Sequence, residues 1–248
     1  MPKTLRLLLL LIVLLWVIWG GRFHSHKLQS WTQPVTIAVH PIATDSRVAA
    51  NIDTDDLRTI NQYLIEQARR YGKSIDGVLQ FRLDPVINTA PPSPPAEARI
   101  AEVILWSLHL RWWSFWQKMT VEEADLHVYL RYFPDGAQRM LPHSTGLENG
   151  GIALVNVYAA PEAKLRNLVV ATHELLHLFG ARDKYDPRTN LPLYPHGYDN
   201  PEQTPRFPQR YAEIMGGRIA IAANLAVEAD ALQQTRIGPQ TASEIGWR

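Results

Sequence analysis

Cysteine is absent from this 248-residue chain. That excludes disulfides, thiolate metal ligands and cysteine nucleophiles. It leaves the compartment open, because a cysteine-free chain folds in either redox environment. An excess of charge of one sign is missing too: 25 Lys and Arg stand against 24 Asp and Glu, a formal net charge of +1. Nucleic-acid binding leaves a strongly basic footprint, so no nucleic-acid partner is expected. No internal repeat is visible. The hydrophobic fraction of 46% is ordinary for a globular protein with a real core.

Long apolar runs are scarce. The longest spans residues 7–19, follows Lys3 and Arg6, and is closed by Gly20, Gly21 and Arg22. It is short of the roughly 20 residues that a spanning helix needs. A basic flank ahead of an apolar run is the pattern of a secretory signal. No small-x-small cleavage site follows it, so the reading is an uncleaved signal anchor, with Trp16 and Trp19 near the far interface. A cleaved signal peptide is the alternative. The anchor puts the body outside the cytoplasm, on a periplasmic or extracellular face; cleavage makes the protein secreted.

What the chain does contain is organised by periodicity. Val35, Ile37 and Val39 alternate with polar or small residues and predict a strand. Asp53 to Asp56 offer N-cap candidates for a helix carried by Leu57, Ile60, Leu64 and Ala68 and ending near Gly72. A short strand is expected around residues 78–83. The Pro-rich stretch 91–95 hands over to a long helix, roughly 96–118, rich in tryptophan and apolar on nearly all sides in its second half. The preferred reading is a central buried helix; the alternative is a surface that touches a membrane or a partner. Leu126, Val128, Leu130 and Tyr132 alternate in a further strand, residues 152–158 form another, and a helix follows over 162–179. Gly136, Pro142 and Gly146 mark a loop. Six prolines lie between Pro187 and Pro208, in a long loop of the kind that is functional or disordered. The C-terminal stretch reads as weakly helical. This order of elements points to an α+β or α/β class.

The chemistry concentrates in His173-Glu174-Leu175-Leu176-His177-Leu178-Phe179-Gly180-Ala181-Arg182-Asp183. Residues four apart share a helix face, so His173 and His177 converge on one metal ion. Glu174 lies on a neighbouring face, where its carboxylate reaches a metal-activated water rather than the metal. H-E-x-x-H on a helix is a metalloprotease motif. Gly180 suits the left-handed conformation that ends a helix and turns the chain. Asp183 then has room to fold back as third ligand, leaving an open position; His196, Asp186 and Glu213 are the alternatives. Histidine, histidine and carboxylate suit zinc.

The pattern H-E-x-x-H-x-x-G-x-x-D resembles the metzincin clan of zinc endopeptidases, and the aspartate is similar to its small bacterial, snapalysin-type branch. Tyr211-Ala212-Glu213-Ile214-Met215-Gly216 looks like that clan's methionine turn. The resemblance covers residues 35–217. It implies a metzincin-like twisted mixed sheet with packed helices, an active-site helix and an irregular C-terminal subdomain. It implies Zn2+ held by His173, His177 and Asp183, Glu174 as catalytic base, Met215 as a structural residue beneath the ligands, and hydrolysis of a protein or peptide substrate. Gly217 stands where some of these families carry a tyrosine two residues after the methionine.

The expected organisation is a signal anchor or signal peptide over 1–21, a tether over 22–33, a catalytic subdomain over 34–180, and a C-terminal subdomain over 181–248 with the third ligand and the methionine turn. His40, His109 and His127 read as structural. One exposed strand, around 126–133 or 152–158, is expected to pair with an extended substrate. The rival reading is a membrane-tethered extracytoplasmic binding or assembly scaffold that keeps the fold without catalysis.

Overall fold

The computed structural model describes residues 28–45, 48–95, 99–118, 123–134 and 141–248. The expected anchor over 1–21 lies outside the described residues. Among those described, no helix is long and apolar enough to cross a membrane.

The fold is mixed α+β, built on a five-stranded sheet. Its strands are β1 (Val35–Ile42), β2 (Leu79–Leu83), β3 (Leu126–Phe133), β4 (Thr145–Leu147) and β5 (Ile152–Tyr158), in the order β2-β1-β3-β5-β4. The first four neighbours pair in parallel, and β4 runs antiparallel to β5 at the edge. Parallel neighbours need crossover connections. Helix α1 (Thr54–Arg69) carries β1 to β2, and α2 (Ile100–Lys118) carries β2 to β3. Helix α1 starts where the sequence places it: Asp53 accepts from Asp55 N and Asp56 N, while Asp56 accepts from Asp53 N, a reciprocal capping box.

Side chains alternate across the strands, so the sheet has two apolar faces. On one, Ile37, Val39, Val128, Leu130 and Val155 pack with Leu57, Ile60 and Leu64 of α1 and with α3 (Lys164–Leu178). On the other, Ile42, Tyr129, Ile152 and Leu154 pack with Trp106 and Leu110 of α2. His40 and His127 lie on this second face and share a hydrogen bond of 3.0 Å, with Asp84 3.3 Å from His40, in keeping with their structural reading.

Four expectations change. Helix α2 is not a central buried helix. Only one layer covers its side of the sheet, so Trp106, Leu110 and Ser114 are buried while Leu108, Trp112, Phe115 and Trp116 are exposed. The stretch after residue 217 is largely not helical: β6 (Arg218–Ala222) and β7 (Leu225–Glu228) form an antiparallel hairpin, and α-helix resumes in α4 (Pro239–Glu244). The boundary at 180/181 is no break in packing, because Ile214, Met215, Leu232, Ile237 and Ile245 share one core with β1 and α1. The tether also ends earlier than residue 33. Leu28 and Trp31 are buried, and the Trp31 ring stacks on Phe179 at 4.6 Å, lies 5.5 Å from Trp247 and donates to Ile245 O at 2.6 Å.

Replacing Trp31 by alanine removes these contacts and opens a cavity. Trp31→Ala is expected to cost about 3–5 kcal/mol in urea unfolding. A tether residue would shift stability by less than about 0.5 kcal/mol.

Candidate metal centre

Helix α3 is fixed at both ends before its chemistry begins. Pro161 opens a 3-10 turn ahead of it, and Asn167 Nδ2 donates to Tyr158 O at 2.8 Å, tying the first turn to the end of β5. His173 and His177 fall on one face with ring centroids 4.9 Å apart. The helix stops at Gly180, whose φ of +98° confirms the left-handed turn expected there. Gly180 N donates to His177 O and Ala181 N to Leu176 O. A Cβ at Gly180 would stand 2.7 Å from Gln29 Nε2, the movable end of a side chain, so it is the positive φ that demands glycine.

The reversed chain brings Asp183 back to the histidines. Its Oδ1 lies 3.0 Å from His173 Nε2 and 3.2 Å from His177 Nε2. The other ring nitrogens point at main-chain oxygens, His173 Nδ1 at Ile214 O (2.9 Å) and His177 Nδ1 at Ala181 O (2.7 Å). A carbonyl only accepts, so each Nδ1 carries a proton, and both Nε2 atoms face a shared point, where a bound cation would take their lone pairs. Tetrahedral zinc ligands at their usual bond lengths stand about 3.3 Å apart, close to the spacing seen. The donor set fits a metal ion, and these three residues form a group able to hold one.

The cluster calls for a positive charge at its centre. Burial works against a charged His173, yet the Asp183 bond, the Glu174 charge and the Ile214 carbonyl outweigh it and lift the imidazole to about 9. Burial raises Asp183, and the two histidine bonds overcome it, holding the carboxyl well below its ordinary range. Glu174 adjoins this group and is almost fully buried, with no hydrogen-bond partner for Oε2. Burial pushes its carboxyl above the ordinary value, while charge on His173, His177 and His143 works the other way.

The turn holding Met215 supports the centre from below. Ile214 supplies the carbonyl to His173, and Met215 is fully buried with its own carbonyl accepting from Lys184 N at 2.8 Å. Glu213, an alternative ligand by sequence, has another task. Its carboxylate accepts from Gly216 N (2.9 Å), Gly238 N (3.0 Å) and Thr241 Oγ1 (2.6 Å), binding the turn to α4. His196 is exposed and Asp186 accepts from Arg188 N, so neither joins the cluster. The Pro-rich loop 187–208 is ordered against the turn: Leu193 N donates to Lys184 O, and a Cβ on Gly216 would stand 2.5 Å from Gly197 O.

Glu244 and β4 escaped the sequence reading, and Tyr185 stood out there only as one of several tyrosines near the motif. Glu244 accepts from Arg182 N (3.0 Å) and Lys184 Nζ (2.7 Å), bracketing Asp183 from both sides. Tyr185 lies with its ring centroid 6.3 Å from that of His173. Burial, the charges of Asp183 and Glu174 and a bond to Asp183 push its phenol up to about 12. Strand β4 crosses α3 so closely that a Cβ on Gly146 would stand 2.6 Å from His177 Cβ. The Gly146 of the expected loop was the one available sign of that approach.

The two carboxylates separate experimentally. Asp183→Ala is expected to weaken zinc binding at least tenfold in a chelator competition while leaving the unfolding midpoint of the metal-free protein within reach of wild type. Glu213→Ala strands three buried donors and is expected to cost at least about 3 kcal/mol of stability.

No protein-family model matches the sequence, and no curated protein matches it. Among solved structures, the chain is similar to wild type OgpA from Akkermansia muciniphila at 10% identity and a TM-score of 0.40. The match covers 86% of this chain and 60% of that one, so the chain spans less than two thirds of the OgpA chain's length.

Proposed function

We propose that this protein is a zinc-dependent metalloendopeptidase of the kind its helix motif resembles, the metzincin clan with aspartate as third ligand. One observation carries the reading: a buried carboxylate, Glu174, keeps an unbonded oxygen beside two histidines and an aspartate that converge on one point. An orphaned buried carboxylate oxygen is costly for a scaffold, and it is what a general base needs. In the same reading the basic-flanked run at 7–19 keeps the body outside the cytoplasm.

His173, His177 and Asp183 would hold the zinc. When bound, zinc supplies Lewis acidity, polarising a carbonyl and lowering the pKa of water to about 7. Glu174 takes the proton of the attacking water and returns it to the departing amine, a role suited to a carboxyl raised by burial. The carbonyls of Ile214 and Ala181 keep both imidazoles in one tautomer. Substrate pairing moves from the strands first expected. Strands β3 and β5 each have neighbours on both sides, whereas among the described residues β4 pairs only with β5 and leaves one edge for an extended peptide next to α3.

Glu174→Gln keeps the shape and removes the base. It is expected to bind one zinc and to lose 10²–10⁴-fold in turnover of a quenched peptide library, roughly the worth of a positioned base. Full activity in this variant overturns the mechanism, and a zinc-loaded wild type that cleaves no peptide favours the scaffold. Gly146→Ala is expected to displace β4 from His177, raising KM more than it weakens zinc binding; an unchanged KM would detach β4 from substrate binding.

A further inference from the structure

Arginine is unevenly partnered in this nearly neutral chain. Arg58, Arg69, Arg82, Arg166 and Arg218 are each neutralised by a neighbouring carboxylate. Arg70, Arg210, Arg236 and Arg248 form no ion pair among the described residues, and the fold gathers them from four stretches of chain. Arg70 caps the C-terminus of α1. Arg236 ends the short strand Thr235–Arg236, which pairs with Ala212–Glu213, and Tyr198 also bridges to Ala212. Asp199, Arg210, Tyr211 and Arg236 are therefore neighbours. The Arg236 guanidinium lies 4.0 Å from the centroid of the Tyr211 ring and that of Arg210 5.2 Å. Tyr71 OH donates to Ile237 O at 2.6 Å, tying the end of α1 to the residue after Arg236. The Trp247 ring lies 6.4 Å from that of Tyr71 and brings Arg248 with it. Arg70, Tyr71, Pro239 and Arg248 line an open groove of about 510 Å³, a size within the range of small-molecule sites.

Positive charge predominates here. Burial raises the Asp199 carboxyl, while the charges of Arg70, Arg236 and Arg210 work the other way. Glu213 is turned inward to Gly216, Gly238 and Thr241. Asp199 and the main-chain carboxylate of Arg248 leave the four guanidinium groups in excess. Two of these groups are already held. Arg70 Nη1 donates to Gln67 Oε1 at 2.6 Å, and that oxygen, on a buried side chain, accepts from Ile237 N at 3.1 Å. Arg236 Nη1 donates to Thr235 O at 3.2 Å. Arginines fixed in advance lose less side-chain freedom on taking a ligand. Guanidinium forks match the oxygens of phosphate and sulfate, and several together favour a multiply charged oxyanion over a lone carboxylate.

We infer that the groove lined by Arg70, Tyr71, Pro239 and Arg248 binds the phosphate or sulfate group of a small ligand, with the charges of Arg210 and Arg236 reinforcing the attraction. Tyr71 and Pro239 offer ring surface to the body of such an ester. The groove shares no residue with the His173 cluster, and the inference holds whether or not the protein hydrolyses peptides.

Inorganic phosphate and inorganic sulfate are the probes, titrated by calorimetry into the full chain in uncharged detergent at constant ionic strength in chloride. The uncharged chelator 1,10-phenanthroline keeps the His173 cluster free of metal, so that neither anion binds through zinc. Wild type is expected to bind one equivalent of at least one probe. Arg70→Gln and Arg248→Gln are each expected to weaken that binding at least about fivefold, the loss of one charge-assisted bond. Arg58→Gln, on the same helix as Arg70, is expected to bind as wild type does. Arg248 is exposed and bonds to no other described residue, so its variant keeps the test clear of folding. Phosphate alone assigns a phosphate ester and sulfate alone a sulfate ester. No saturable heat from either probe overturns the inference, as does binding that survives both substitutions together. Citrate binding tighter than both probes assigns the groove to carboxylates and overturns it too.

Discussion

The reversal of the chain at Gly180 sets the geometry on which the rest of the centre depends. Two histidines on a helix face define a line of approach but no closed site. Closure needs a third side chain from a segment running back beneath them, and the left-handed φ of Gly180 turns the chain there within three residues. Everything around that turn secures it. Gln29 donates to Phe179 O and Glu244 O, Glu244 brackets Asp183 through Arg182 and Lys184, and Ile214 fixes His173 from the opposite side. The site is thus a junction of four separate stretches of chain, and only one of them contains the motif.

The electrostatics follow from that closure. Asp183 is the most exposed of the three cluster residues, so it faces solvent while His173 is enclosed. An enclosed imidazole raised by its acidic neighbours and a carboxylate depressed by its basic ones describe a cavity that attracts a cation. Glu174 stands apart from this exchange. Its Oε2 has no hydrogen-bond partner among the described residues, a cost that the proposed role as proton acceptor would account for.

The parts legible in the sequence are those whose cause is local. The shared helix face of His173 and His177, the turn at Gly180, the cap at Asp53 and the alternation of β1, β3 and β5 all arise from spacing over a few residues. What escaped depends on partners distant in sequence. Strand β4 is three residues long and includes glycine, so it shows no alternation; its position comes from close approach to His177. Leu28 and Trp31 look like stray apolar residues until α4 and Phe179 are beside them. Glu213 has the composition of a ligand and the surroundings of a structural clasp, a distinction set by Gly238 and Thr241 across the fold. The exposure of α2 escaped for the same reason, because an apolar helix does not state how many layers surround it.

The contacts of Gln29 and Trp31 carry a mechanical meaning. Among the described residues these are the first to grip the chain that follows its basic, apolar N-terminal stretch, and they hold the backbone at Phe179, Glu244 and Ile245. Tension applied along that stretch therefore does not dissipate at a loose end. It bears first on the turn that positions Asp183, so the segment that enters the fold here and the turn that shapes its centre share one joint.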